Sequence, residues 1–371
     1  VKSADDFATA RASYGPLVLA FAFAATTASG STFLGFPAIA YKAGLSAITS
    51  TVLYPVGVYL GVWICVRIVD RVGARFGTRS IPEYLGERYQ SELMRVLVAL
   101  FTLVLVFYLA AQLISGIVMF EILLGVPPAV ALLVTGGVLL VSVVLGGAHA
   151  DILTDGAQGA LMVAFAVLVA ILFATGAGLE AGGVGGVVRA LEAQDPHLVG
   201  WTNPTHPLYD SWWAIFAVGL YCLPTGMLPH IGNKIWALES HRSRVKFVQL
   251  AFVFGLTLGM LGLGGVLARA VLGDVLLGDE VGANAALPML FLELFPDWVA
   301  ALLGMGILAA VMSTADGLVV SSAQVLANDL YRCSFVPRYR AHLDAQTVDR
   351  RVLNISRAGT VVVMVVCTAL A

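Results

Sequence analysis

Charge is what this 371-residue chain has least of: Asp, Glu, Lys and Arg together make up 12% of it, about half the share found in soluble globular domains. That deficit excludes a water-soluble globule, because a folded body of this size needs a broad charged surface. Cysteine is scarce as well. Cys65, Cys222, Cys333 and Cys367 lie in or at the ends of apolar runs with no metal-ligand spacing, so they read as small apolar residues. An intramembrane enzyme would need a clustered nucleophile and base or a metal constellation. His149, His206, His230, Cys222 and the acids form no such spacing. Neither enzymatic chemistry, an organic cofactor nor a nucleic-acid partner is expected.

What is present in abundance is apolar sequence: 59% of residues are hydrophobic and the mean hydropathy is +0.90. Most stretches between charge clusters are long enough to cross a hydrocarbon core, which takes about 20 helical residues. Nine spans are expected, at about 15–41, 45–69, 93–123, 128–146, 154–178, 210–229, 245–272, 296–331 and 352 to the end. The chain therefore reads as an all-α polytopic membrane protein in a lipid bilayer. The loops then alternate between two sides, and 18 of the 21 Lys and Arg fall on one of them. Basic segments resist translocation, so that side, with residue 1, is expected to be cytoplasmic, in a bacterial inner membrane. The chain opens on a polar stretch without a start methionine and stops in an apolar run at Ala371. At least one helix is expected before residue 1 and one or more after residue 371.

Two spans look broken. In the first, small and hydroxyl residues crowd around Gly30; in the sixth, Pro224, Gly226, Pro229 and Gly232 fall within nine residues. Proline removes a backbone donor and clashes with the preceding turn. Freed backbone groups at membrane depth survive only where protein or a water-filled cavity satisfies them. Four unbroken spans separate the breaks, which matches two five-helix repeats of inverted topology, one over about 15–178 and an incomplete second over about 210–371. Paired interruptions at corresponding positions point to a transporter binding site. Elsewhere, Ser80 and Pro82 open a short amphipathic helix. The outer segments around 184–191 and 285–294 read as short helices, either lids or ordinary caps.

Ser313 and Thr314 in the eighth span offer hydroxyl oxygens one turn after Ala310, whose carbonyl joins them if that turn opens. The broken first helix adds the carbonyls of Ala25 and Ala28. Such a neutral oxygen cage suits a monovalent alkali cation, since a divalent ion favours carboxylates; the bland alternative is hydroxyls bonded back to their own helix. Asp155 and Asp316 are intramembrane acids and by default functional candidates, for a second cation or a proton, unless Asp316 pairs with an arginine such as Arg357. Substrate contacts are expected from Ser31, Thr32, Gln112, Tyr221, Pro229 and His230, with half-helix N-termini favouring a carboxylate. Gln112 can equally satisfy a backbone group.

Several stretches resemble the sodium:solute symporter family over nearly the whole chain and in the same order. They are Gly146-Gly147 through Thr154-Asp155 to Gly159, residues 310–316, Ser321-Ser322 with Asn328-Asp329-Leu330-Tyr331-Arg332, and Leu228-Pro229-His230. Residues 27–45 most resemble the sodium/pantothenate branch. The resemblance implies a leucine-transporter-type five-plus-five inverted repeat and sodium-coupled uptake of a small solute such as pantothenate or a monocarboxylate. It implies sodium at Ala25, Ala28, Ala310, Ser313 and Thr314, and a part for Asp155 in members with a second sodium. This chain departs from the family pattern at Asp316, where a hydroxyl residue is usual, and at Lys234 and His149. Thr27 stands where proline carriers have an acid, which argues against proline. A symporter-like sensor domain, fused for example to a histidine kinase, is the competing reading.

Overall fold

The computed structural model describes residues 14–68, 78, 80–232, 241–278 and 282–371, with the backbone alone at 68, 142, 145–150, 229, 232 and 241–244. Of the basic residues behind the charge asymmetry, Lys2, Arg11, Arg71, Arg75, Arg79 and Lys234 lie outside these limits. The helices are α1 (Pro16–Thr27), α2 (Phe36–Ala43), α3 (Ile48–Ile68), α4 (Ile81–Tyr89), α5 (Glu92–Leu103), α6 (Val106–Leu124), α7 (Pro128–Thr175) and α8 (Gly183–Gln194). There follow α9 (Trp212–Tyr221), α10 (Pro229–Gly232), α11 (His241–Gly259), α12 (Leu261–Leu272), α13 (Ala286–Leu294), α14 (Asp297–Gln324) and α15 (Ala345–Leu370).

Six of the described stretches are long and apolar enough to cross a membrane. They cover expected spans two, three, five, seven, eight and nine. The other three appear as shorter apolar helices, Pro16–Thr27, Pro128–Val141 and Trp212–Met227. Breaks shorten the first and sixth. Large apolar side chains such as Phe101, Phe107 and Leu133 face outward from the bundle, as lipid-facing surfaces do. Local signals set the helix starts: Ser80 caps α4 at Glu83 N (3.2 Å) with Pro82 in its first turn, and Ser211 caps α9 at Ala214 N (3.2 Å).

The fourth and fifth spans differ from expectation in form. They make one helical run, α7, rather than two helices with a loop between. The run is not straight. Thr135 and Val311 both lie within 4 Å of the point a Gly116 side chain would occupy, while Phe165 packs on Gly306. Thirty residues of straight helix would hold positions 135 and 165 about 45 Å apart, yet Thr135 meets Gly116 next to Val311 while Phe165 meets Gly306, less than two turns away on α14. The run therefore folds back into two arms, and each arm serves as one span.

The two halves pair by repeat position. Span two meets span seven, with Thr51 O and Pro55 against Gly259 and the Tyr59 ring against Gly255. Span three meets span eight, Met119 and Leu123 against Gly304 and Gly116 against Val311. Span four meets span nine at Gly136, Met364 and Thr368. In the first two pairs the numbers rise along one partner and fall along the other, so equivalent helices run antiparallel. Inverted repeats require this. Small residues at the crossings let backbones approach closely, the usual means of helix association in lipid.

Candidate functional site

The first span breaks at residues 28–30. Its last α-helical bond runs from Ala28 N–H to Ala24 O (2.8 Å), and Thr32 N–H to Ser29 O (2.8 Å) begins the next segment, a π turn at Ser31–Gly35. A helix end leaves its last carbonyls without intrahelical donors, and here those belong to Ala25–Ala28, of which Ala25, Thr26 and Ala28 are buried and Thr27 half-buried. The donor freed on the other side is met from α6: Gly30 N–H donates to Gln112 Oε1 (2.9 Å). Ser115 crowds Gly30 from the same helix, within about 3 Å of where a Cβ would stand. Gln112, expected to touch solute, thus has its carbonyl oxygen engaged by the break itself.

Helix α14 lies against this break. Thr314 Oγ1 donates to Thr26 O (3.1 Å), and Ala310, Ser313 and Thr314 are all fully buried. Ser313 Oγ has no hydrogen-bond partner. A buried hydroxyl left unmatched costs free energy, and this one belongs to the residue before Thr314, which meets Thr26 O. The structure therefore sets Thr314, one of the five residues expected to cage an alkali ion, against the broken end of α1, where Ala25 and Ala28 also lie.

Behind them the Thr26 hydroxyl donates to Asp155 Oδ2 (2.8 Å) from the second arm of α7, with Ala22 O at 3.0 Å. Asp155 is fully buried, and Asp316 and Asp151 nearly so. The side-chain-less Gly317 is where Thr26, Asp151 and His230 converge, each within 4 Å of the missing Cβ. Arg357 is exposed. Thr26 and Asp151 escaped sequence reasoning. Thr26 looked like one hydroxyl among many, and Asp151 like a loop acid, because the turn between the arms of α7 was expected to end the span.

The sixth span breaks as expected: α9, a tight turn at Pro224–Met227, extended backbone at Leu228, then α10. A cavity of about 680 Å³ opens between the two breaks, spans two and seven and the loop before α9. Thr27, Ala28, Ser31 and Thr32 line it from the first break, with Tyr54, Tyr59, Tyr209, Tyr221 and Cys222 around them. No charged residue lines it. Of the expected solute contacts, Ser31 and Thr32 reach it and Tyr221 stands at its rim, 81% exposed. Gln112 and His230 do not line it; His230 is buried against Tyr108, ring centroids 6.0 Å apart. The side chains of Pro229 and His149 lie outside the described residues. Tyr54 and Tyr59 were missed, although two tyrosines flanking a mid-span proline are the available signal.

The loop before α9 covers the cavity through Pro207, Leu208 and Tyr209. Tyr209 OH and Ser50 Oγ are 2.8 Å apart, and Asn203 bridges Ala43 O (3.1 Å) and Tyr209 O (2.7 Å). Burial first, then nearby Lys42, lowers the His206 pKa, so the ring facing Tyr209 is neutral at pH 7.

Two interrupted helices at corresponding positions and antiparallel pairing of equivalent spans define the leucine-transporter type of inverted-repeat fold. Solved structures with the same fold include a Na+-coupled sialic acid symporter in an outward-open state (TM-score 0.77, 18% identity, covering 99% of this chain and 76% of that one). Mhp1, a nucleobase-cation-symport-1 family transporter, also matches (TM-score 0.61, 14% identity, 98% and 73%). Residues 7–371 match the sodium:solute symporter family, and the chain belongs to it. Relatives include the sodium/pantothenate symporter of Haemophilus influenzae, 29% identical over 318 residues, and the sodium/proline symporter of Escherichia coli, 26% identical over 389 residues. The first match covers 85% of this chain and 63% of the relative, the second 100% and 72%. The chain thus spans under two thirds of the length of the pantothenate symporters it matches.

Proposed function

We propose that this protein is a sodium-coupled secondary active transporter that imports a small organic solute, a carboxylate such as pantothenate or a monocarboxylate, by alternating access. The observation that carries the reading is the junction of α1 and α14: Thr314 Oγ1 lies 3.1 Å from Thr26 O, beside the buried, unpartnered Ser313 Oγ. A sodium ion held by the Ala25, Ala28 and Ala310 carbonyls and the Ser313 and Thr314 hydroxyls joins a moving broken helix to its support. Ala28 also lines the cavity, so ion and solute share one wall. Occupying one side stiffens the other. Solute meets Ser31 and Thr32 first, with Tyr221 at the mouth. Asp155 and Asp316 form the place for a second cation or a proton; the bond from Thr26 to Asp155 ties that place to the same helix end.

The arginine-rich loops face the cytoplasm of a bacterial cell, supported by the Lys and Arg bias and the bacterial relatives. Moving one positive charge inward then yields about 2.3 kcal/mol per 100 mV. In the full-length protein, Ser313→Ala with Thr314→Ala removes two of five ligands. The sodium concentration for half-maximal uptake is expected to rise about tenfold or more, equivalent to about 1.4 kcal/mol. Unchanged sodium dependence refutes the cage.

A further inference from the structure

A second charged group sits where the transport reading makes no use of it. Arg269 lies near the end of α12, close to the outer surface, and is 7% exposed. Its guanidinium stacks over the Tyr41 ring of α2, 5.4 Å from the centroid. Its Nε and Nη1 have no hydrogen-bond partner among the described residues. The surroundings offer no acceptor in the obvious places. Tyr41 OH donates to Gly273 O (2.5 Å) and accepts from Leu276 N–H (3.3 Å), so the ring hydroxyl is engaged. Gln194 Nε2 donates to the Arg269 carbonyl (3.1 Å), which leaves the guanidinium untouched. Of the described acids nearby, Glu180, Glu192, Asp274 and Glu293 are exposed, and half-buried Asp195 accepts from His197 N–H (2.9 Å).

Guanidinium cannot shed its charge by deprotonation. A π face offsets only part of the cost of taking a cation out of water. Two buried guanidinium nitrogens without an acceptor therefore call for a negative partner. Lys42 and Arg189 are exposed, so the site offers a single positive charge and suits a compact monovalent ion rather than a phosphate.

We propose that Arg269 is the anchor of a halide-binding site, occupied by chloride, between the outer ends of α2 and α12. The ion neutralises Arg269 and fastens the outer half of the first span to the seventh. The site is separate from the sodium cage, so the two fail independently.

The test uses full-length protein in detergent at constant sodium, with chloride exchanged for gluconate, which is too large to enter. Chloride and bromide are expected to raise the thermal midpoint by a few degrees over gluconate, saturably. Arg269→Gln is expected to fold and to lose that difference. An anomalous signal from bromide beside Arg269 gives a readout that does not depend on the variant's yield. Stability indifferent to the anion, the same anion effect in Arg269→Gln, or no bromide at Arg269 overturns the proposal. If the counter-charge is instead a carboxylate of the chain, such as Asp279 or Glu280, the first and third of these results appear, and Asp279→Asn or Glu280→Gln lowers the midpoint.

Discussion

Gln112 shows how a residue's chemistry can be right and its employment wrong. An amide in a membrane span invites a solute-binding role, yet its oxygen takes the Gly30 N–H that the helix break sets free. Gln112→Leu leaves that buried donor unmatched, a cost of about 1–3 kcal/mol. The thermal midpoint should fall, while apparent solute affinity in the surviving folded fraction should change by less than about threefold, because Gln112 does not line the cavity. A loss of affinity without loss of stability would return Gln112 to the solute. The oxygens of Ser313 and Thr314 were legible as candidates only with the family resemblance beside them, because adjacent hydroxyls recur in these spans, as at Thr26-Thr27, Ser31-Thr32 and Ser321-Ser322. The Gln112–Gly30 bond was not, because 82 positions separate its ends and nothing local marks them as neighbours.

At the level of elements, run length and breaker residues carried most of the information. Lipid forces every backbone polar group to find an internal partner, so apolar runs become helices, and clustered Gly and Pro mark where they stop. The first and sixth breaks fall where those residues predict them. The form of α7 did not follow, since the expected loop between spans four and five is part of a helical run; packing decides between the two outcomes. Close crossings depend on single positions. A side chain at Gly265 would stand 2.0 Å from Pro37 O, a backbone atom that cannot rotate away. Gly265→Ala is therefore expected to separate α12 from the outer half of the first span and cost about 1–3 kcal/mol. Wild-type thermal stability in that variant would show the crossing to be loose. Gly44 serves the turn into α3 at φ +70° and carries the Leu198 carbonyl directly against it.

On the scale of the molecule, the cavity is a product of four spans and a loop that are distant in sequence. Cys222 lines it, whereas Cys65 and Cys367 are buried without lining it. Alkylation of Cys222 by a membrane-permeant maleimide should slow at least about fivefold when sodium and a transported solute are both saturating; lower occupancy reduces the open fraction in proportion. Labelling that ignores solute would place the solute elsewhere.

The sequence by itself determined the solvent this protein lives in, the approximate number of crossings, the two breaks and the hydroxyl pair in the eighth span. All of these follow from composition and short-range pattern, which act within one helix. Tertiary structure alone decided which helix faces the hydroxyl pair, that Thr26 links Thr314 to Asp155, that His230 turns from the cavity, and that Arg269 is buried without a carboxylate among the described residues. Those are facts of packing between segments far apart in the chain, and in lipid such packing depends on shape and close approach, for which a single sequence carries little local signal.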